Sequence, residues 1–211
     1  MRASAIVLCV FAVLSSSAVA VAGEDSGAAG NPAAAAKAVD KAQVLEQKVA
    51  AKEEVKPAPK SEAITPAEVQ AVDPAGKESV SDAITCLSRT IYWEAKGGGP
   101  ADMEAVADVV INRLGHDGFA DTVCGVVKQG SEKKNCQFSW WCDGRADQVQ
   151  EEDRYTVAKE VARKALNQQL KDRTGGALFF HDRHVALDGW GKDYLKTAET
   201  DKFIFYKPRT K

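Results

Sequence analysis

The sequence predicts an α+β fold, mainly helical with a small antiparallel β-sheet, and three observations lead there. Beyond residue 80, apolar side chains recur at helical spacing in several segments. Near the C-terminus, two short stretches rich in Phe have the composition of strands. Every aromatic residue after Phe11 lies at Tyr92 or later, so the material for a large core is confined to the C-terminal part.

The elements follow in chain order. Met1-Arg2, an apolar stretch over 6–14 and Ala-x-Ala sites ending at Ala20 or Ala22 read as a secretory signal peptide over 1–22. The stretch is short for a bilayer span, although an uncleaved anchor is the alternative. Ile6-Val7-Leu8 before Cys9 lacks the small residues that a lipidated cysteine needs. Residues 23–80 are rich in Ala, Lys, Glu, Val and Pro and hold no Phe, Trp or Tyr. Without large apolar side chains such a segment is expected to be a disordered linker, with a transient helix over 33–56.

The folded domain is expected over 81–211. Asp82 is a cap for a helix over 83–96, with Ile84, Leu87, Ile91 and Ala95 on one face. Gly97 to Pro100 breaks it. A second helix runs from 101 to Leu114 and stops at Gly115, and a short one covers 122–128. Residues 131–146 are expected to be a loop, 153–171 a third long helix, and 177–181 a strand paired with 203–207.

The 28 basic and 30 acidic residues give a net charge of −2, which points to neither nucleic acid nor an anionic membrane. Outside the signal segment the cysteines are Cys86, Cys124, Cys136 and Cys142. An even count in an exported chain favours two disulfides over a zinc site. Three pairings are open; the favoured one is a local Cys136–Cys142 bridge with Cys86 joined to Cys124.

Glu94 follows Tyr92-Trp93 at a helix end, just before Gly97-Gly98-Gly99. A carboxyl packed among aromatics resists ionisation, and a carboxylic acid still protonated near neutral pH suits proton donation to a glycosidic oxygen. The plainer alternative is a solvated glutamate. Gln137-Phe138-Ser139-Trp140-Trp141 suits a sugar-binding cleft, with ring faces for the pyranose and polar groups for its hydroxyl or acetamido substituents. Phe138 is expected in the core, and the adjacent tryptophans are expected to face opposite ways. His181 and His184 are spaced like a metal pair but lack a third ligand, so no metal or other cofactor is expected. The triple glycine lacks the Lys-Ser/Thr of a phosphate loop.

Several blocks together resemble the SleB-like cell wall hydrolase family, the catalytic domain of spore-cortex-lytic enzymes. They are Cys86-Leu87-Ser88-Arg89-Thr90-Ile91-Tyr92-Trp93-Glu94-Ala95, the run from Ala105 through Asn112-Arg113, Thr122-Val123-Cys124-Gly125 with Cys136-Gln137-Phe138-Ser139-Trp140, Thr174-Gly175-Gly176 through His181, and Phe205-Tyr206. The resemblance covers about residues 83–207. It implies a lysozyme-like domain acting on peptidoglycan glycan strands, between N-acetylmuramic acid and N-acetylglucosamine, as a lytic transglycosylase or a muramidase. It implies that Glu94 is catalytic, as general acid and then base. Tyr92, Gln137, Ser139, Trp140, Trp141 and His181 are the candidate substrate-binding residues.

The chain departs from the family pattern where a second glutamate is common, here Gly98. It departs again at Met103, and at Phe203 in place of a histidine. These departures keep open a degenerate module that binds glycan, or recruits an enzyme, without cutting; a peptidase or amidase is a third class. The expected location is periplasmic or secreted, and the linker could reach a cell-wall protein partner.

Overall fold

The computed structural model describes residues 30–53, 56–133, 135–186 and 189–209. The signal-peptide expectation over 1–22 lies outside them. At the centre runs α3 (Ala83–Glu94), started by the Asp82 carboxylate, which accepts the Thr85 N–H at 2.9 Å. Helices α4 (Pro100–Arg113), α5 (Val123–Lys128) and α6 (Glu152–Leu166) pack around it, so residues 83–92 are all buried. Buried polar groups on α3 therefore need internal partners. Thr90 donates to the Cys86 carbonyl at 2.8 Å, and Arg89 pairs with Asp73. Disulfides join Cys86 to Cys124, tying α3 to α5, and Cys136 to Cys142, closing the loop between them. This is the favoured pairing.

The helix stops follow backbone chemistry. After α3, Gly97 takes a positive φ of 83°. After α4, Gly115 does the same at 62°, and a Cβ there would lie 2.0 Å from the Ala50 carbonyl oxygen, so no larger residue fits. Helix α6 ends at Leu166, short of the expected 171, because Gln168 turns into the left-handed region at φ 54°. The sheet has the order β1-β3-β2, with β1 (Phe179–Asp182), β2 (Tyr194–Glu199) and β3 (Phe203–Pro208) all antiparallel. The pairing of β1 with β3 was expected, with Phe180 opposite Phe205. Strand β2 was not, because Tyr-Leu-Lys-Thr-Ala-Glu shows no clean alternation; it is a mostly exposed edge with a register shift between Lys196 and Ala198.

The largest correction concerns residues 32–53 and 56–80, which form a packed layer instead of a disordered tether. Helix α1 (Pro32–Ala50) is capped by Asn31, whose side chain accepts the Ala33 and Ala34 N–H groups. It buries Ala38, Ala42, Leu45 and Glu46 against the core. Small alanines let helices approach closely, so no aromatic is needed there. Polar stitches do the rest. Glu46 Oε2 accepts the Val123 N–H at 2.7 Å at the start of α5. Lys41 donates to Glu68 on α2 (Pro66–Ala71) and to the Ala63 carbonyl. Fully buried Asn167 exchanges two hydrogen bonds with the Ile64 backbone, both 2.9 Å. The described residues of the expected linker from α1 onward thus pack against the rest of the fold. No helix among the described residues is long and apolar enough to cross a membrane.

Candidate active site

Three pieces of chain and Arg113 at the end of α4 meet around a cleft of about 950 Å³. The end of α3 contributes Trp93, Glu94 and Lys96. The disulfide-closed loop and the segment after it contribute Gln137, Ser139, Trp140, Asp143 and Asp147. The sheet contributes Phe180, His181, Tyr194 and Phe203, with Lys202 from the β2–β3 turn. Glu94 ends α3, so its side chain projects where the helix gives way to the glycine turn.

Glu94 as a whole is half-buried, but its Oε1 is sealed from solvent and has no hydrogen-bond partner among the described residues. The sealed oxygen governs the electrostatics. Burial pushes the Glu94 carboxyl up to about 7. The Lys202 ammonium, the Ser139 backbone N–H and the Arg113 guanidinium pull it back, in that order of size. Two other cleft-lining side chains also hide a polar atom without a protein partner, Trp140 at Nε1 and Arg113 at Nη1. Unpartnered buried polar atoms are uncommon in folded proteins, and three of those found here belong to side chains that line this cleft.

Arg113, at the end of α4, is a cleft residue that the sequence reading missed. Its Nε donates to the Leu178 carbonyl at 2.8 Å, and its guanidinium lies 5.0 Å from both the Phe119 and Phe138 ring centres. Burial lowers its pKa to about 10 while the Glu94 charge works in the opposite sense. An arginine at a helix end offers no sequence signal beyond its place in the Asn112-Arg113 pair. Lys202 was missed too, sitting in a turn with no motif around it. Asp143 and Asp147 add carboxylates to the cleft. Burial raises the pKa of Asp147, nearby Asp143 raises it further, and Arg89 lowers it.

The candidate residues divide. Gln137, Ser139, Trp140 and His181 line the cleft with Glu94. His181 stacks on Tyr206 at 5.4 Å, with Nε2 3.1 Å from the Tyr206 hydroxyl and Nδ1 2.8 Å from the Asp182 carbonyl oxygen. Ser139–Trp141 is a 3-10 turn, not an extended loop; Trp141 packs edge-on against Trp140, ring centres 5.6 Å apart, with Lys128 Nζ 4.6 Å from its ring centre, and is not among the cleft-lining residues. Tyr92 is not among them either. It is fully buried on the inner face of α3, edge-on to Trp93 and Tyr155, and its hydroxyl accepts the Gln150 and Glu151 N–H groups at 3.2 Å. It holds the cleft wall and does not touch the cavity. Phe138 is buried as expected.

Two departures from the family pattern acquire a physical meaning. A Cβ at Gly98 would fall 2.6 Å from Asp102 Oδ2, so the space beside this residue is already occupied by a carboxylate. That carboxylate caps α4, accepting the Gly99 N–H at 2.7 Å. Phe203 is buried against Phe180, with ring centres 5.0 Å apart. Among the described residues no group of three or more His, Cys, Asp and Glu could hold a metal ion.

A spore cortex-lytic enzyme of Halalkalibacterium halodurans is 30% identical over 124 residues, covering 58% of this chain and 34% of that protein. One from Oceanobacillus iheyensis is also 30% identical, over 59% of this chain and 41% of its own length. The chain thus spans well under half of these relatives. Among solved structures, the catalytic domain of Bacillus cereus SleB is similar at 27% identity and a TM-score of 0.49, covering 59% of this chain and 89% of that one. The cell wall hydrolase family model matches residues 97–206, just over half the chain, and begins after Glu94. By that match the chain belongs to the cell wall hydrolase family.

Proposed function

We propose that this protein cleaves the glycan strands of peptidoglycan, with Glu94 as the single general acid and base. The observation that carries the reading is a carboxyl held at about 7, with one sealed and unpartnered oxygen, on the wall of a large cleft shared with Trp140, Gln137 and Ser139. Near neutral pH a substantial fraction of such a carboxyl is protonated. It gives its proton to the bridging glycosidic oxygen as the bond to the sugar carbon breaks and the electron pair leaves with that oxygen. The sugar carbon becomes oxocarbenium-like. Glu94, now a carboxylate, takes a proton from the attacking hydroxyl. If that hydroxyl is the muramic acid 6-hydroxyl, the product is an anhydro sugar, as in a lytic transglycosylase. If it is water, the product is a reducing end, as in a muramidase.

The transglycosylase route needs no second carboxylate, which fits the absence of an acid at Gly98. The apolar N-terminal stretch supports action outside the cytoplasm, periplasmic or secreted. The test is digestion of purified sacculi with wild type and Glu94→Gln, read by mass spectrometry of the released fragments. Acid–base assistance is worth on the order of 10²–10⁴-fold, and the variant should lose about that much. Anhydro ends support transglycosylation, and ends heavier by one water support hydrolysis. Binding without release by either protein would leave a glycan-binding module as the better reading.

A further inference from the structure

We infer that Lys202 is a positioning residue for Glu94: it clamps the C-terminal end of α3 and serves as the fixed countercharge for the Glu94 carboxylate. The inference deepens the proposed function and rests on that reading for its catalytic meaning.

The argument starts from the helix end. Glu94 is the last residue of α3, where unpaired carbonyls carry the negative end of the helix dipole. A carboxylate forming there faces its own helix's partial negative charge as well as the cost of burial. Lys202 meets this directly. Its Nζ donates to the Glu94 carbonyl and to the Lys96 carbonyl, both at 2.8 Å, so one ammonium covers two exposed acceptors at that end. Its stem is anchored as well. The Lys202 backbone N–H donates to Asp102 Oδ1 at 3.1 Å, while Asp102 Oδ2 takes the Gly99 N–H at 2.7 Å. Gly98 leaves the room that Asp102 needs. The ammonium also lies 5.0 Å from the Phe203 ring centre. The turn before β3, the cap of α4 and the end of α3 are thereby locked into one unit behind the acid.

Such a unit has a chemical consequence. While Glu94 is neutral, Lys202 contributes little to it. Once the proton has gone to the leaving oxygen, the new negative charge acts on a cation already held on the Glu94 backbone carbonyl, which needs no reorganisation to stabilise it. Other charged groups around the same cleft are Arg113 from α4, Lys96 after α3, Asp143, Arg145 and Asp147 from the loop, and His181 and Asp182 from β1. Of these, only Arg113 shares with Lys202 the effect of drawing the Glu94 carboxyl downward.

The test is carbon-13 NMR titration of the Glu94 carboxyl in wild type, Lys202→Met and Lys202→Arg, each checked for a native fold by its amide spectrum. The expected wild-type midpoint is about 7. Lys202→Met, which keeps an apolar stem of similar length, should move the midpoint up by about one pH unit. Lys202→Arg should stay near wild type. The descending limb of the kcat/KM profile should follow the same order. An unmoved midpoint in folded Lys202→Met would overturn the assignment, since a purely structural lysine affects melting and not this titration. If Lys202→Met fails to fold, Lys202→Gln replaces it with the same expected direction. A moved midpoint in a protein that cleaves no glycan would keep the electrostatic role and reject the proposed function.

Discussion

Asp73 and Glu94 are both acids taken out of water, in two regions that treat them differently. Asp73 belongs to the N-terminal layer, just after α2. Its Oδ1 accepts the Lys77 and Glu78 N–H groups, both at 2.8 Å, and its Oδ2 accepts from Arg89 Nε at 2.8 Å and from the Tyr155 hydroxyl at 2.6 Å. Glu94 lies on the cleft with one oxygen that nothing among the described residues satisfies. The first arrangement meets the cost of burying a charge with bonds to both oxygens. The second leaves part of that cost unmet, which keeps a proton on the acid. A raised pKa is not by itself the mark of the catalytic acid. Burial also pushes Asp108 up to about 7, but that carboxylate takes the Arg173 N–H and opens on a smaller hollow of about 400 Å³ without Phe, Tyr or Trp.

The sharpest way to break the comparison is Asp73→Ala. It strands the buried Arg89 guanidinium, which also reaches the Asp147 carbonyl at 2.5 Å on the cleft wall. Removing one partner of such a pair costs about 3–5 kcal/mol, and thermal or urea unfolding should report a loss of that size. A loss below about 1 kcal/mol would mean that the N-terminal layer does not hold Asp73 as described.

Glu94→Gln should act in the opposite direction on stability, by a smaller amount. The folded protein keeps the Glu94 proton up to about 7, whereas the unfolded chain releases it near 4.5. The folded state therefore binds more protons between these values, and wild-type stability falls as pH rises through that window. Glutamine has no such slope. At pH 8 the variant should exceed wild type by about 3 kcal/mol, and the advantage should vanish toward pH 4. Equal stability curves across this range would show that burial does not strain Glu94.

Much of this was legible in the residue pattern, for physical reasons that differ between the parts. Helix α3 and its cap were readable because Asp82 and the apolar face are local signals. An acid after two aromatics and a Gln-x-Ser-Trp run marked Glu94 and Trp140 as candidates, and the folded chain brings both to one cleft. The N-terminal layer was not readable, since its burial rests on small alanines and on polar stitches such as Asn167 to Ile64, whose partners lie far apart in sequence. Tyr92 and Trp141 were misplaced for a related reason. An aromatic near a cleft residue can face the core as easily as the cleft, and only the helix phase and the 3-10 turn decide which. Lys202 and Arg113 became visible only once the chain had folded around Glu94.

The most direct test of the central claim is the pH dependence of kcat/KM on purified glycan strands. If Glu94 delivers its proton from the cleft, activity should decline above a descending limb near 7, and Glu94→Gln should lose cleavage at every pH. A rate that stays level from pH 6 to 8, or a variant that cleaves with the wild-type profile, would contradict the account.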